Sequence, residues 1–255
     1  MHIDAAENIA DNEVLRQLAQ RRSVRVFTAQ PIGAAVRQAI LEAAAQAPTA
    51  GCQQLYTIID VQDPAKKQAL ADSCDHQPFI AGAPLVLVFC ADPLKWYDAY
   101  TAEGCGPRPL GVGDLLLAVD DALIAAQNAV TAAWSLGVGS CYIGDIMENR
   151  AVQKEILGLP DRVFPAALVV FGYPTPQQQT RPKPPRADLR HIVHTDTYRR
   201  MDPAELREML AANAAGRPYG AWLEAFCRRK YNAGFSREMT RSVAEFLKEF
   251  EEPEV

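Results

Sequence analysis

Apolar positions along the chain recur with two periods. Near the start, Val14, Leu15 and Leu18 share one face of a helix that runs into the basic pair Arg21 and Arg22. After Pro31, Val36, Ile40, Ala43, Ala44 and Ala47 fall near helical spacing and predict a second helix. Short apolar runs predict strands: LYTIIDV (Leu55 to Val61), LVLVFCA (Leu85 to Ala91), a run around Ser140 to Ile143, and AALVVFG (Ala166 to Gly172). Helices are predicted near Pro64 to Ala71, along the stretch from Asp114 to Trp134, and near Arg150 to Leu157. Few strands among many helices fit a layered α/β or α+β domain around one sheet.

Residues 174–185, PTPQQQTRPKPP, hold five prolines. That density predicts an extended, polyproline-like arm without helix. Residues 203–250 look helical and charged, with aromatic and basic residues interleaved. The expected organisation is a body over 1–200 and a helical extension over 201–255 that packs on the body or on a partner subunit.

The formal charge is −5 with no long basic run. Nucleic acid is therefore not an expected partner, because phosphate backbones need a concentrated cationic face. A local pocket for a single phosphate stays open. The N-terminal MHIDAAENIADNEV has no basic region followed by an apolar core, so no signal peptide is expected. The Asp114–Trp134 stretch contains Asp114, Asp120 and Asp121, which oppose a bilayer span and favour a buried helix. None of the six cysteines forms a CxxC pair, and Cys74 with His76 supplies too few ligands for a metal. Reduced thiols in a cytoplasmic protein are expected, with Cys90 as plain core.

Two segments carry candidate chemistry. RRSVRVF (Arg21 to Phe27) packs three arginines and a serine into five positions. If Ser23 to Phe27 is extended, Ser23 and Arg25 point to one side while Val24 and Val26 face the core. A guanidinium beside a hydroxyl suits a ligand with an anionic end, since arginine grips phosphate through paired hydrogen bonds. Cations offsetting the dipole at a helix C-terminus are the competing explanation. The second segment, APTAGCQQLY (residues 47–56), breaks regular structure at Pro48 and Gly51 and brings Cys52, Gln53 and Gln54 to the rim of the sheet.

In order, RRSVRVFTAQPI, APTAGCQQLY, GSCYIGD and FGYP with a proline-rich basic tail resemble the FMN-dependent nitroreductase family from about Arg21 to Arg186. The resemblance implies an α+β fold, a mixed sheet flanked by helices, and an intertwined homodimer with two FMN molecules at its interface. It implies hydride transfer from NADH or NADPH through the flavin to small-molecule acceptors such as nitroaromatics, quinones or free flavins. By the same resemblance, Arg21 would hold the FMN phosphate, with Arg22 and Ser23 along the phosphate and flavin contacts. Arg25 would approach the N1–O2 edge, where a fixed cation favours electron uptake. Lys183 and Arg186 would reach the phosphate from the tail. Backbone groups of Tyr142, Ile143, Gly144 and Asp145 would border the ring near N5 and O4. Gly144 is equally readable as a turn glycine, and the tail cations as exposed linker charges.

The family position matching Cys52 is usually asparagine, whose amide meets the flavin, and a thiol is a weak substitute. Either Cys52 fills space while neighbouring groups replace the hydrogen bond, or it acts as a redox-sensitive thiol if Arg25 lies beside it. Gln54 is expected to contact the ring or support the loop. Trp96, Trp134 and Trp222 could line a substrate pocket, but a buried aromatic is more often core, so they are assigned no role. The expected function is that of an FMN-dependent NAD(P)H oxidoreductase; the alternative is a flavin-binding protein that senses or stores FMN.

Overall fold

The structure, a computed structural model, describes residues 11–251. Residues 1–10, which hold most of the stretch read for a signal peptide, lie outside the described residues. The chain divides into two compact units, Met1–Thr180 with Glu238–Val255, and Arg181–Arg237.

In the larger unit, helices α1 (Glu13–Gln20) and α2 (Ala34–Ala45) precede strand β1 (Tyr56–Asp60). Helices α3 (Pro64–Ser73) and α4 (Pro78–Ala81) lead to β2 (Leu85–Ala91). Then come α5 (Leu94–Ala102), the long α6 (Val112–Ser135), β3 (Gly139–Ile143), α7 (Arg150–Leu157), β4 (Phe164–Gly172) and α8 (Pro176–Thr180). Helices α9 (Pro203–Ala214) and α10 (Tyr219–Lys230) lie in the smaller unit, and α11 (Gly234–Leu247) starts there. The starts follow local chemistry. Asn12 caps α1 by accepting from the Leu15 N–H at 3.0 Å, and Asp63 caps α3 with Pro64 as its first residue.

The sheet runs β1-β2-β4-β3, and every neighbouring pair is antiparallel. A parallel contact enters through the isolated bridge between Ser23 and Ser140 at the β3 edge. Every residue of β2 and β4 is buried. Leu85, Leu87 and Phe89 face α2 and α6, whereas Val86, Val88 and Cys90 join Leu70 of α3 and Ile80 of α4 on the other side. Both faces are covered, which is why LVLVFCA is continuously apolar instead of alternating.

Helix α6 is long and apolar enough to cross a membrane. Leu115, Ala118, Ala122, Ala125, Ala126, Ala129, Val130 and Ala133 nonetheless bury one face in the sheet core. Alanine at most of these positions lets the helix lie close to the strands. The other face leaves Leu116 58% and Leu117 50% exposed, with Leu123 and Ile124 beside them.

Two expectations need correction. Val24 is fully buried, but Val26 is 50% exposed. Past Val24 the segment leaves the β3 edge and lays Phe27 against the end of β4, as the Phe27–Pro174 bridge records. The alternation that would have turned Val26 inward stops there. The proline-rich arm is also not free of helix, since α8 occupies Pro176–Thr180. Proline fits a first helical turn, where its missing N–H has no partner to lose.

The end of the chain belongs to the larger unit's core. Phe246 and Phe250 are buried, and Phe246 meets Phe164 edge-to-face with centroids 5.0 Å apart. Glu249 accepts from Lys154 Nζ at 2.8 Å and from the Arg162 N–H at 2.6 Å, and it also pairs with Arg150.

Candidate functional site

Helix α1 stops at Arg21, whose N–H still donates to Gln17 O at 2.9 Å while its backbone turns extended. The chain then runs along the β3 edge, where Val24 N–H donates to Ser140 O at 2.9 Å. Two glycines make this docking feasible. A Cβ on Gly139 would come within 2.5 Å of Val24, and one on Gly172 within 2.7 Å of the Phe27 ring. Real side chains do not approach so closely, so only glycine admits the segment at both points. Sequence reading assigned these glycines no role; a glycine at a strand terminus facing a valine-rich segment is the available signal.

With Val24 as the inward anchor, Ser23 and Arg25 are exposed on the outer side. Their neighbour is Cys141 of β3. Burial pushes the Cys141 thiol up, while Arg25, Ser23 and Arg21 pull the other way. Burial likewise pushes Tyr142 up to about 12 against the opposing charge of Arg21. Arg21, Ser23 and Arg25 therefore converge on the Cys141–Tyr142 stretch. Arg22 is turned elsewhere, donating through Nη1 to Gln179 O of α8 at 2.8 Å. It fastens α8, as does the Arg25 N–H donating to Gln178 Oε1 at 3.3 Å.

The chain continues from Ile143, which is buried, into Gly144, which is exposed. A Cβ on Gly144 would meet only Met147 at an ordinary 3.8 Å. Packing within the chain does not require glycine there. Asp145 Oδ2 accepts from Gln77 Nε2 at 2.7 Å.

The 47–56 loop is held from beneath by Asp121 of α6, which is 3% exposed. Its carboxylate accepts from the N–H groups of Ala50 and Leu55, each at 3.0 Å, and from the Thr49 hydroxyl. Thr49 Oγ1 in turn accepts from the Gln54 N–H at 2.7 Å. Gly51, Cys52 and Gln54 all have positive φ, at 57°, 58° and 51°. The exposed Gln54 folds back along its own loop, and its side chain donates to Ala45 O at 3.1 Å, so it supports the loop. Cys52 is exposed. The thiol that Arg25 acts on is Cys141.

Trp96, given no role from the sequence, is 36% exposed, and its Nε1 donates to Gln53 O at 2.7 Å. With Tyr97, Tyr100, Arg108 and Leu117 it lines a cleft of about 400 Å³ beside the loop. Its place emerges only because α5 follows β2 and returns across the loop. Lys183 is half-buried and Arg186 exposed, and both fall in the smaller unit.

The arginine segment and the 47–56 loop lie on opposite edges of the sheet. The loop enters β1 at Tyr56, whose register leads through Ala91 to Phe164. Ser23 pairs with Ser140, which stands opposite Phe171. Seven residues of strand and four inter-strand steps separate them, on the order of 30 Å.

These features define an α+β protein with a cationic strand at one sheet edge and a carboxylate-anchored loop at the other. The profile of the nitroreductase family matches residues 18–173, and the chain belongs to that family. It is 30% identical to an FMN reductase [NAD(P)H] of Bacillus subtilis (strain 168) over 96% of this chain and 94% of that protein. Over 72% of the chain it is 36% identical to an oxygen-insensitive NADPH nitroreductase of Salmonella typhimurium (strain LT2), covering 74% of that protein. The solved NADPH:FMN oxidoreductase from Vibrio harveyi complexed with NAD+ superposes with a TM-score of 0.77 at 25% identity, covering 92% of this chain and 98% of that one.

Proposed function

We propose that the chain is an FMN-dependent oxidoreductase that takes hydride from NADH or NADPH and passes reducing equivalents to a nitroaromatic, quinone or flavin-like acceptor. The observation that carries this is the convergence of Arg21, Ser23 and Arg25 on the Cys141–Tyr142 stretch of β3 in a member of the nitroreductase family. When bound, FMN supplies the hydride chemistry.

The chain's own residues bind and orient. Arg21 and Ser23 offer the phosphate a cation and a hydroxyl. Arg25 stands where positive charge would offset the negative charge of a reduced ring edge. Gly144, whose lack of a side chain serves no contact inside the chain, leaves the backbone of Tyr142–Asp145 open to the ring edge. Arg22 acts by holding α8. Cys52 and Gln53 present a loop rim to the ring, with Gln54 bracing it through Ala45 O.

The site is shared between two copies of the chain in a homodimer. The separation of arginine segment and loop across the sheet supports this, because one protomer does not bring both to one ring. So do the apolar faces of α1 and α6, where Val14 is 60% exposed and Leu116 58%. The expected compartment is the cytoplasm, where NAD(P)H is available.

The test is anaerobic mixing of purified yellow protein with NADH or NADPH. Rapid bleaching near ~450 nm is expected, since the reduced cofactor is required for turnover. Arg25→Ala should lose FMN on dialysis and slow the bleaching. A flavin that binds but never bleaches would favour a sensing or storage protein, and a colourless chain that ignores added FMN would refute the reading.

A further inference from the structure

We propose that Asp145 and Glu148 share one proton, and that this shared proton holds the turn after β3 in the shape that borders the flavin ring. The second half rests on the reading that Tyr142–Asp145 lies against that ring.

The turn spans Gly144–Met147, and Glu148 N–H donates to Asp145 O at 3.0 Å. Glu148 is only 4% exposed, and its Oε1 has no hydrogen-bond partner. A buried carboxylate in that position is costly unless it is paired with a cation or keeps its proton. The charged groups acting on it are acidic: Asp145 in the turn, Asp75 beyond α3 and Glu238 on α11. The Cys74 thiol also lies close, and burial pushes it up to about 12, so it brings no compensating charge. Nearby cations are committed elsewhere, Arg150 to Glu249 and Arg241 to Glu238. His76, next to Asp75, is exposed.

Burial first, and Asp145 next, push Glu148 up to about 7. A protonated Glu148 donates to Asp145, whose Oδ2 is already fixed by Gln77, and Gln77 donates also to Cys74 O at 2.9 Å. The proton thus ties the turn to the end of α3. Without it, two carboxylates repel across the same contact. Among the described residues no group of three or more His, Cys, Asp or Glu is arranged to hold a metal ion, so a metal does not take the proton's place.

The sign follows from linkage. Glu148 ordinarily titrates at 4.5 and does so here at about 7. Its stabilising contribution is complete below the ordinary value and is lost as pH rises through about 7. The experiment compares wild type, Glu148→Gln and Asp145→Asn between about pH 5 and 8.5, the span that brackets the titration. Thermal unfolding is followed on FMN-free protein, and FMN affinity by quenching of flavin fluorescence.

Glu148→Gln mimics the protonated carboxyl. Its melting temperature should match wild type near pH 5 and exceed it increasingly toward pH 8. The wild-type FMN dissociation constant should rise several-fold above neutrality, within the limit of about tenfold per pH unit for one linked proton. The glutamine variant should stay flat. Asp145→Asn removes the like charge but not the burial, so it should make the melting profile shallower than wild type, which keeps the test decisive if one variant folds poorly. Parallel pH profiles in wild type and both variants would overturn the shared proton. A pH-dependent stability difference in a protein that binds no FMN at any pH would uphold the proton and sink the flavin reading instead.

Discussion

At the scale of single residues, Asp121 does the most for the candidate site without facing a ligand. It satisfies two backbone N–H groups and a hydroxyl of a loop that contains three residues with positive φ. Such a backbone is costly for residues other than glycine and persists only where surrounding contacts hold it. Asp121→Ala leaves the buried Leu55 N–H and the half-buried Ala50 N–H unpaired. It should cost about 2–3 kcal/mol in a urea titration and lower FMN retention with it. Cys52 sits in that strained backbone at φ 58°. Asparagine enters the left-handed region more readily than most residues, which gives a backbone reason for the asparagine expected at this position. The thiol departs from that pattern without losing the loop's shape.

At the scale of elements, the arginine segment is positioned by packing. Its only deep anchor is Val24, and that anchor requires Gly139. Gly139→Ala would press a methyl into Val24 and cost about 1–3 kcal/mol. The prediction is selective: the variant should remain folded by circular dichroism yet release FMN, as Ser23 and Arg25 shift from Cys141. Adding Val24→Ala should recover part of the FMN retention, because the smaller side chain vacates the contested space. If the double variant binds no better than Gly139→Ala alone, Val24 is not the contact that places the arginines.

At the scale of the molecule, the two halves of the site belong to opposite edges of one sheet. A shared site between protomers predicts complementation. Co-expressed Arg25→Ala and Asp121→Ala chains form a hybrid in which one interface combines an intact arginine segment with an intact loop. The isolated hybrid dimer should bind one FMN, whereas each variant homodimer binds little. A hybrid as empty as its parents would mean that each protomer builds its site alone. The closing helix contributes to the same body, since Phe246 and Phe250 complete the core beneath β4.

Much of the architecture was legible in the sequence because it depends on local rules. The runs LVLVFCA and AALVVFG became the buried central strands β2 and β4, and the predicted helix over Arg150–Leu157 is α7. The basic cluster and the loop were visible by composition. The turning of Val26 outward, the short helix inside the proline-rich arm, the place of Trp96 beside the loop, and the glycines that admit Val24 and Phe27 were not. Each depends on what a residue meets from a distant part of the chain. Periodicity says which side of an element is apolar; only the folded structure decides where that side stops touching the core and which buried carboxyl, Glu148 among them, is left without a cation.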